Sequence, residues 1–273
     1  LNVTPSDRLS EEMLFNDREG FVKALNGVYI ELNTNELYGR NLTVGALDVM
    51  GQYYSVASSS HAFYNYGGLV YTGNDEKALF DNMWQKCYAV IACCNTIIEK
   101  CDENKAGLSP VWRGSIKGEA LALRAMLHFD MLRLFSASPA IDKERKAIPY
   151  LESYTNLPQH QLTVGAVLEK VVKDLNAARE LMREVDPYGP NYAKLESLYR
   201  NHPLLRNRQK HLNYYAVMGL MARVYMYAEN TTEARRCAMV VIDAHKNRNV
   251  FPWADKNDVL NEKKEIRDRT FSS

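Results

Sequence analysis

The stretch Trp112–Phe135, WRGSIKGEALALRAMLHFDMLRLF, decides the fold. Ile116, Ala120, Leu123, Leu127, Met131 and Leu134 recur in steps of three or four. That spacing places them on one face of a 3.6-residue helix. At ~1.5 Å per residue the helix is roughly 36 Å long. Glu119 and Arg124 interrupt the small and apolar residues, while Ala120, Ala122 and Ala125 offer a surface that a second helix approaches closely. A helix this long and alanine-rich is expected to have neighbours on more than one side.

Composition limits what such a helix belongs to. At 273 residues, 46% hydrophobic and 25% charged, the chain is one large globular domain or two small ones. A chain of this size buries roughly 70–75% of its unfolded surface and needs no covalent staples. A net charge of +1 gives no reason to expect nucleic acid or an acidic membrane surface as a partner. Tyrosine is in excess, 17 against 8 Phe and 3 Trp. Its ring stacks while its hydroxyl hydrogen-bonds, which suits both ligand surfaces and helix interfaces. Of five cysteines, Cys87, Cys94 and Cys101 share a helix face at ~10.5 Å intervals, too far apart for a disulfide or a shared metal ion. They read as buried free thiols. No run reaches the ~18 apolar residues of a membrane span. The opening LNVTPSDRLS has no basic-then-apolar signal and reads as a tether, so any targeting segment has been removed or was never included.

Outward from the central helix the pattern stays helical. Asp17 is positioned to cap a helix from Arg18 to Leu32. Leu42–Met50 fits a short helix or a strand. Gly51–Gly73, GQYYSVASSSHAFYNYGGLVYTG, keeps no helical period and reads as a long loop. A second long helix spans Asp75–Cys101, with Gly107 placed to end it, so it forms an antiparallel hairpin with Trp112–Phe135. Ser136–Pro158 is irregular. Thr163 is an N-cap for a helix ending near Val185, and 186–209 is another loop. A last hairpin pairs Lys210–Tyr227 with Thr232–His245. In it Met221-Ala222, Tyr225, Ala234, Ala238 and Val241 follow the tetratricopeptide spacing, where small residues let helices pair and the tyrosine fills the gap between pairs. The expected fold is all-α: degenerate tetratricopeptide-like hairpins with long decorating loops.

Several of these motifs occur together in one known family. IKGEALALRAMLHFDMLRLF, preceded by Trp84-x3-Tyr88-x2-Ile91-x3-Asn95-x2-Ile98, resembles the core signature of SusD/RagB-like proteins. Asp174-Leu175 with Ala178 resembles the family's DL-x-x-A helix. Asn213-x2-Ala216-x2-Gly219-Leu220-x-Ala222-Arg223-Val224-Tyr225 resembles its repeat helix. LNVTPSDRLS and Ala24–Tyr29 resemble the segment after the lipidated cysteine. The chain departs from the pattern at Ser136-Ala137-Ser138-Pro139, where the family has Gly-x-x-Pro. It is also much shorter than family members, so residues 1–273 read as the N-terminal, repeat-bearing part with the C-terminal half absent. The resemblance implies a lipoprotein on the outward-facing surface of the outer membrane that binds a nutrient, usually a glycan. It also implies a TonB-dependent, SusC-like transporter as partner. The only membrane attachment it implies is an N-terminal lipid anchor that this chain does not carry.

The residues suggest binding rather than catalysis. The six histidines form no HExxH or other ligand pair, and GxSxG, GxGxxG and GxxxxGK are absent. No enzyme activity, metal or cofactor is expected. Glu119, Arg124, Trp84 and Asn95 are expected to hold the scaffold, because charges on a crowded helix more often satisfy loop backbone than a ligand. The ligand candidates lie in the aromatic loop: Tyr53, Tyr54, His61, Phe63, Tyr64, Tyr66 and Tyr71, interleaved with Ser58–Ser60 and Asn65. Sugar rings present apolar faces to aromatic rings and hydroxyls to nearby donors and acceptors. Two or three of the seven are expected to face ligand while the others pin the loop. Tyr188 and Tyr192 make a second set. An oligosaccharide is the first expectation and a peptide the second. The rival readings are a tetratricopeptide-type scaffold that binds only protein and a helical-barrel glycosidase using two carboxylates in a cleft.

Overall fold

The computed structural model describes residues 12–155, 157–191, 193, 201–251 and 254–260. LNVTPSDRLS, Tyr192 and the closing RDRTFSS lie outside them. Among the described residues every named element is helical, and β-type pairing is confined to an isolated antiparallel bridge between Lys146 and Thr163. Helix α1, Arg18–Leu32, starts at Asp17, whose carboxylate accepts from Gly20 N at 2.8 Å. The ambiguous segment resolves as the short helix α2, Ala46–Met50, and a one-turn helix α3, Tyr64–Gly67, sits inside the aromatic loop.

Helices α4, Asn74–Glu103, and α5, Pro110–Phe135, form the expected antiparallel hairpin. Near their turn Arg113 Nε donates to Cys101 O at 2.7 Å, while at the far end Cys87 Sγ meets Leu127 O at 3.9 Å. Asn104, not Gly107, takes the left-handed cap of α4 at φ 47°, and its side chain accepts from Leu108 N at 2.7 Å. Gly107, at φ 65°, turns the chain just beyond it. From Gly114 to Leu132 only Lys117 and Met126 escape full burial, so α5 has neighbours on nearly every side. Each fully buried Leu or Ile on it contributes ~1.5–3 kcal/mol over an exposed one.

Helix α6, Val164–Arg183, begins at Thr163, which accepts from Ala166 N at 3.2 Å, and crosses α5 at two glycines. A Cβ on Gly114 would stand 2.8 Å from Val185 Cγ2, and one on Gly118 would stand 2.8 Å from Met182 Cγ. The close approach therefore rests on Gly114 and Gly118, one helical turn apart. After α7, Pro203–Arg206, and a 3-10 turn at Arg208–Lys210, the last hairpin pairs α8, Tyr214–Tyr227, with α9, Thr231–Arg248. Glu229 turns the chain between them at φ 62°. Met221 and Ala234 are buried and Tyr225 half-buried, as the tetratricopeptide spacing requires. Helix α10, Lys256–Val259, is the last described element. Cys87, Cys94 and Cys101 are buried free thiols. Among the described residues no helix is long and apolar enough to cross a membrane.

Candidate ligand-binding site

Gln52 holds the neck of the aromatic loop. Its backbone turns the chain after α2 at φ 62°. Its amide nitrogen donates to Val49 O at 3.3 Å and Gly67 O at 2.9 Å, tying the start of the loop to α3. At the other end Asn65 Nδ2 donates to Glu76 Oε1 at 2.8 Å. That bond and the Glu76 backbone N–H hold the Glu76 carboxyl below the usual carboxylate range, so it stays an acceptor.

The rings divide into two groups. Tyr66 points inward at 2% exposure and meets Phe63 and Phe80 edge-on at 5.8 and 5.9 Å. Tyr71 is half-buried and completes this cluster, 5.5 Å from Phe80. Ring contacts then continue through Phe135, Trp84, Tyr88 and His128 to Tyr150. Each edge-to-face or stacked pair adds ~0.5–1.5 kcal/mol beyond its burial. Burial, then Glu76 and Asp75, push the Tyr66 hydroxyl up to about 12, and burial also raises that of Tyr71. Phe63, Tyr66 and Tyr71 thus anchor the loop to α4.

Tyr53, Tyr54 and Tyr64 point the other way, at 80%, 50% and 43% exposure. His61 is exposed as well, its Nδ1 accepting from Phe63 N at 3.1 Å. Tyr54 and Tyr64 come together in an open slot of about 420 Å³, while Tyr53 and His61 lie outside its lining. Val56 and Val70 supply apolar surface there, and Gln52, Ser55 and Asn65 supply polar atoms. Gly67 and Gly68 complete the lining. No acid, Lys, Arg or His lines the slot. Ser58 and Ser60 are exposed and bond each other at 2.9 Å, outside the lining of the slot. The sequence carried no signal for Gln52, Ser55, Val56 or Val70, which belong to no motif and meet only through the fold of the loop.

Glu119 and Arg124 serve the scaffold. Arg124 is buried and bidentate to Asp174, both bonds 2.7 Å, and reaches Asn95 Oδ1 at 2.8 Å and Glu152 O at 3.1 Å. Tyr150 donates to the same Asp174 at 2.6 Å, and Asn95 donates to Leu151 O at 3.1 Å. This network fastens the irregular segment 149–152 onto α4, α5 and α6, satisfying backbone that would otherwise be buried unpaired. Glu119 accepts from Tyr29, Arg208 and His211, and Arg208 also holds Asp186 at 2.9 Å. Burial raises the Glu119 pKa, but Arg208, His211 and Tyr29 outweigh it and keep the group below the usual range. Trp84 is half-buried within the run of rings. Tyr188, from the second set, lies on a half-buried turn whose N–H donates to Asp186 at 2.9 Å. Among the described residues no group of His, Cys, Asp and Glu side chains is arranged to hold a metal.

Comparison with known proteins places this architecture. The SusD-like family model, described as starch-binding and associating with the outer membrane, matches residues 2–192. The chain belongs to the SusD-like family. That match takes in α1 to α6 and the whole aromatic loop. A curated relative, SusD-like protein P2 of Formosa agariphila, is 24% identical over 185 residues, 66% of this chain and 34% of its own. A SusD superfamily protein of Bacteroides thetaiotaomicron superposes with a TM-score of 0.62 at 21% identity, over 86% of this chain and 47% of that one. A SusD-like carbohydrate binding protein of Bacteroides vulgatus gives 0.64 at 21% identity, over 84% and 45%. The structural likeness carries the fold, and this SusD-like chain spans less than half the length of each of these relatives.

Proposed function

We propose that the chain is the N-terminal, helical-repeat part of a cell-surface nutrient-binding protein that takes up glycan and performs no chemistry on it. Tyr54 and Tyr64 stack on sugar faces, and Ser55, Asn65 and Gln52 supply hydrogen bonds. The full-length protein is lipid-anchored on the outward side of the outer membrane and passes its ligand to a TonB-dependent, SusC-like transporter. The observation that carries this reading is the pair of exposed rings beside uncharged polar groups, on a loop fixed from below by Phe63, Tyr66 and Tyr71. A loop backbone held in place before binding loses little freedom on contact, which favours affinity from a shallow site. Family membership supports the glycan, since the family is described as starch-binding and a structural neighbour as a carbohydrate binding protein.

The test is affinity electrophoresis of the chain through gels containing a panel of polysaccharides, with Tyr54→Ala and Tyr64→Ala beside it. Retardation by a polysaccharide, relieved by either substitution, is the expected result. Retardation by none, with binding to a peptide library, would overturn the glycan reading. A protein-binding role has its own support in the α8–α9 hairpin, where Met226 and Ile242 are exposed at 58% and 43%. Co-purification with the transporter, lost on Met226→Asp with Ile242→Asp, checks that role.

A further inference from the structure

The slot's hydrogen-bonding capacity is unevenly spent. Gln52 Nε2 faces two carbonyl oxygens, Val49 O and Gly67 O, so the nitrogen end of that amide is fixed inward and both its hydrogens are used. Asn65 Nδ2 faces the Glu76 carboxylate, which only accepts, so this amide is fixed the same way and one of its two hydrogens is used. Among the described residues neither Gln52 Oε1 nor Asn65 Oδ1 has a partner. On the 67–70 side of the slot the backbone N–H groups are also committed, whereas on the other side those of Ser55 and Val56 have no partner among the described residues. Gly67 N donates to Phe63 O, Gly68 N to Tyr64 O, and Val70 N to Asn65 O. What remains is uncharged: Gln52 Oε1 and Asn65 Oδ1 accept, the second Asn65 hydrogen and the Ser55 and Val56 N–H groups donate, the hydroxyls of Ser55, Tyr54 and Tyr64 serve either way, and no cation lines the slot. Arg40, the guanidinium over Phe63 at 5.6 Å, is not among the lining residues.

We infer that the slot selects uncharged sugars that present hydroxyl hydrogens toward Gln52 and Asn65, and rejects sugars bearing carboxylate or sulfate at that face. An anionic group set against Oε1 and Oδ1 meets two further acceptors, and no cation in the lining offsets the hydration it loses. A neutral hydroxyl donates to either oxygen while the ring's apolar face covers Tyr54 or Tyr64. Because no charge is matched, affinity is insensitive to salt. This inference rests on the proposal that the Tyr54–Tyr64 face binds glycan, and it adds the class of glycan.

The test is calorimetry on the full chain with neutral oligosaccharides, the same oligosaccharides oxidised at C6 to carboxylates, and the same compounds O-methylated. Each is measured at low and high sodium chloride, with wild type, Tyr64→Ala and Tyr54→Ala. The expected result is binding of a neutral compound, weakened about tenfold or more by either substitution. Oxidation and methylation should each cost about tenfold, and salt should change the affinity less than about twofold. Carboxylated compounds binding as tightly as neutral ones, in a manner that Tyr64→Ala abolishes, would overturn the class and leave the glycan site standing. Neutral binding untouched by both tyrosine substitutions would overturn the slot. Failure of every compound would overturn the glycan reading, and this inference with it.

Discussion

Acidification should destabilise this protein through one buried imidazole. His128 is fully buried in α5, its Nε2 accepting from Leu151 N at 3.0 Å and its Nδ1–H meeting Arg124 O at 2.9 Å. An acceptor at Nε2 and a donor at Nδ1 describe the neutral ring, and a proton on Nε2 would break the bond to Leu151. Burial, aided by the Arg124 charge, lowers the His128 pKa to about 3. In the unfolded chain it returns to ~6.5. Below that value the unfolded state binds more protons than the folded one. The stabilisation is therefore complete above ~6.5 and is lost as pH falls toward the folded value. At about pH 5 the gap between solution and unfolded pKa is ~1.5 units, which at ~1.36 kcal/mol per unit removes ~2 kcal/mol. Urea titrations at about pH 8 and pH 5, on wild type and His128→Gln, isolate this contribution, since other groups titrate alike in both. Wild type should lose ~2 kcal/mol more than the variant over that interval. Equal losses would refute the reasoning.

Other perturbations test the scaffold. Glu119→Gln leaves Arg208 buried with its charge only partly matched, and should destabilise by ~3–5 kcal/mol in chemical denaturation, whereas Lys105→Gln at an exposed pair should change little. Gly114→Ala should cost ~1–3 kcal/mol because its Cβ meets Val185 and the Leu181 carbonyl, while Gly27→Ala, with open space around it, should add ~0.5–1 kcal/mol. In a native thiol titration Cys93 should react ahead of the four buried cysteines, and after denaturation all five should react alike.

What could be read beforehand follows from how local each cause is. The caps at Asp17 and Thr163 act within three residues, and both form as the sequence suggests. The buried face of α5 follows from a period, and periods survive folding. The aromatic loop has no period, so nothing along it separates Tyr64 from Tyr66. A single helical turn, Tyr64–Gly67, sends one outward and the other onto Phe80. The scaffold role of Glu119 and Arg124 was legible from crowding alone, but their partners were not. Arg208 stands 89 positions from Glu119 and Asp174 stands 50 from Arg124, and no local pattern links such pairs. The packing of α6 shows the same limit: the small residues at its closest approach to α5 are Gly114 and Gly118, not the alanines of the α5 stripe.

The division of the loop's rings has a consequence for how such a surface diversifies. Phe63, Tyr66 and Tyr71 fix the path of the chain, and Tyr54 and Tyr64, only a few positions away, do not contribute to that fixing. Exchanging the outward residues leaves the inward set, and therefore the backbone, where it was. Under the proposed function, new recognition chemistry can then be sampled on a platform whose shape is set by the helix beneath it.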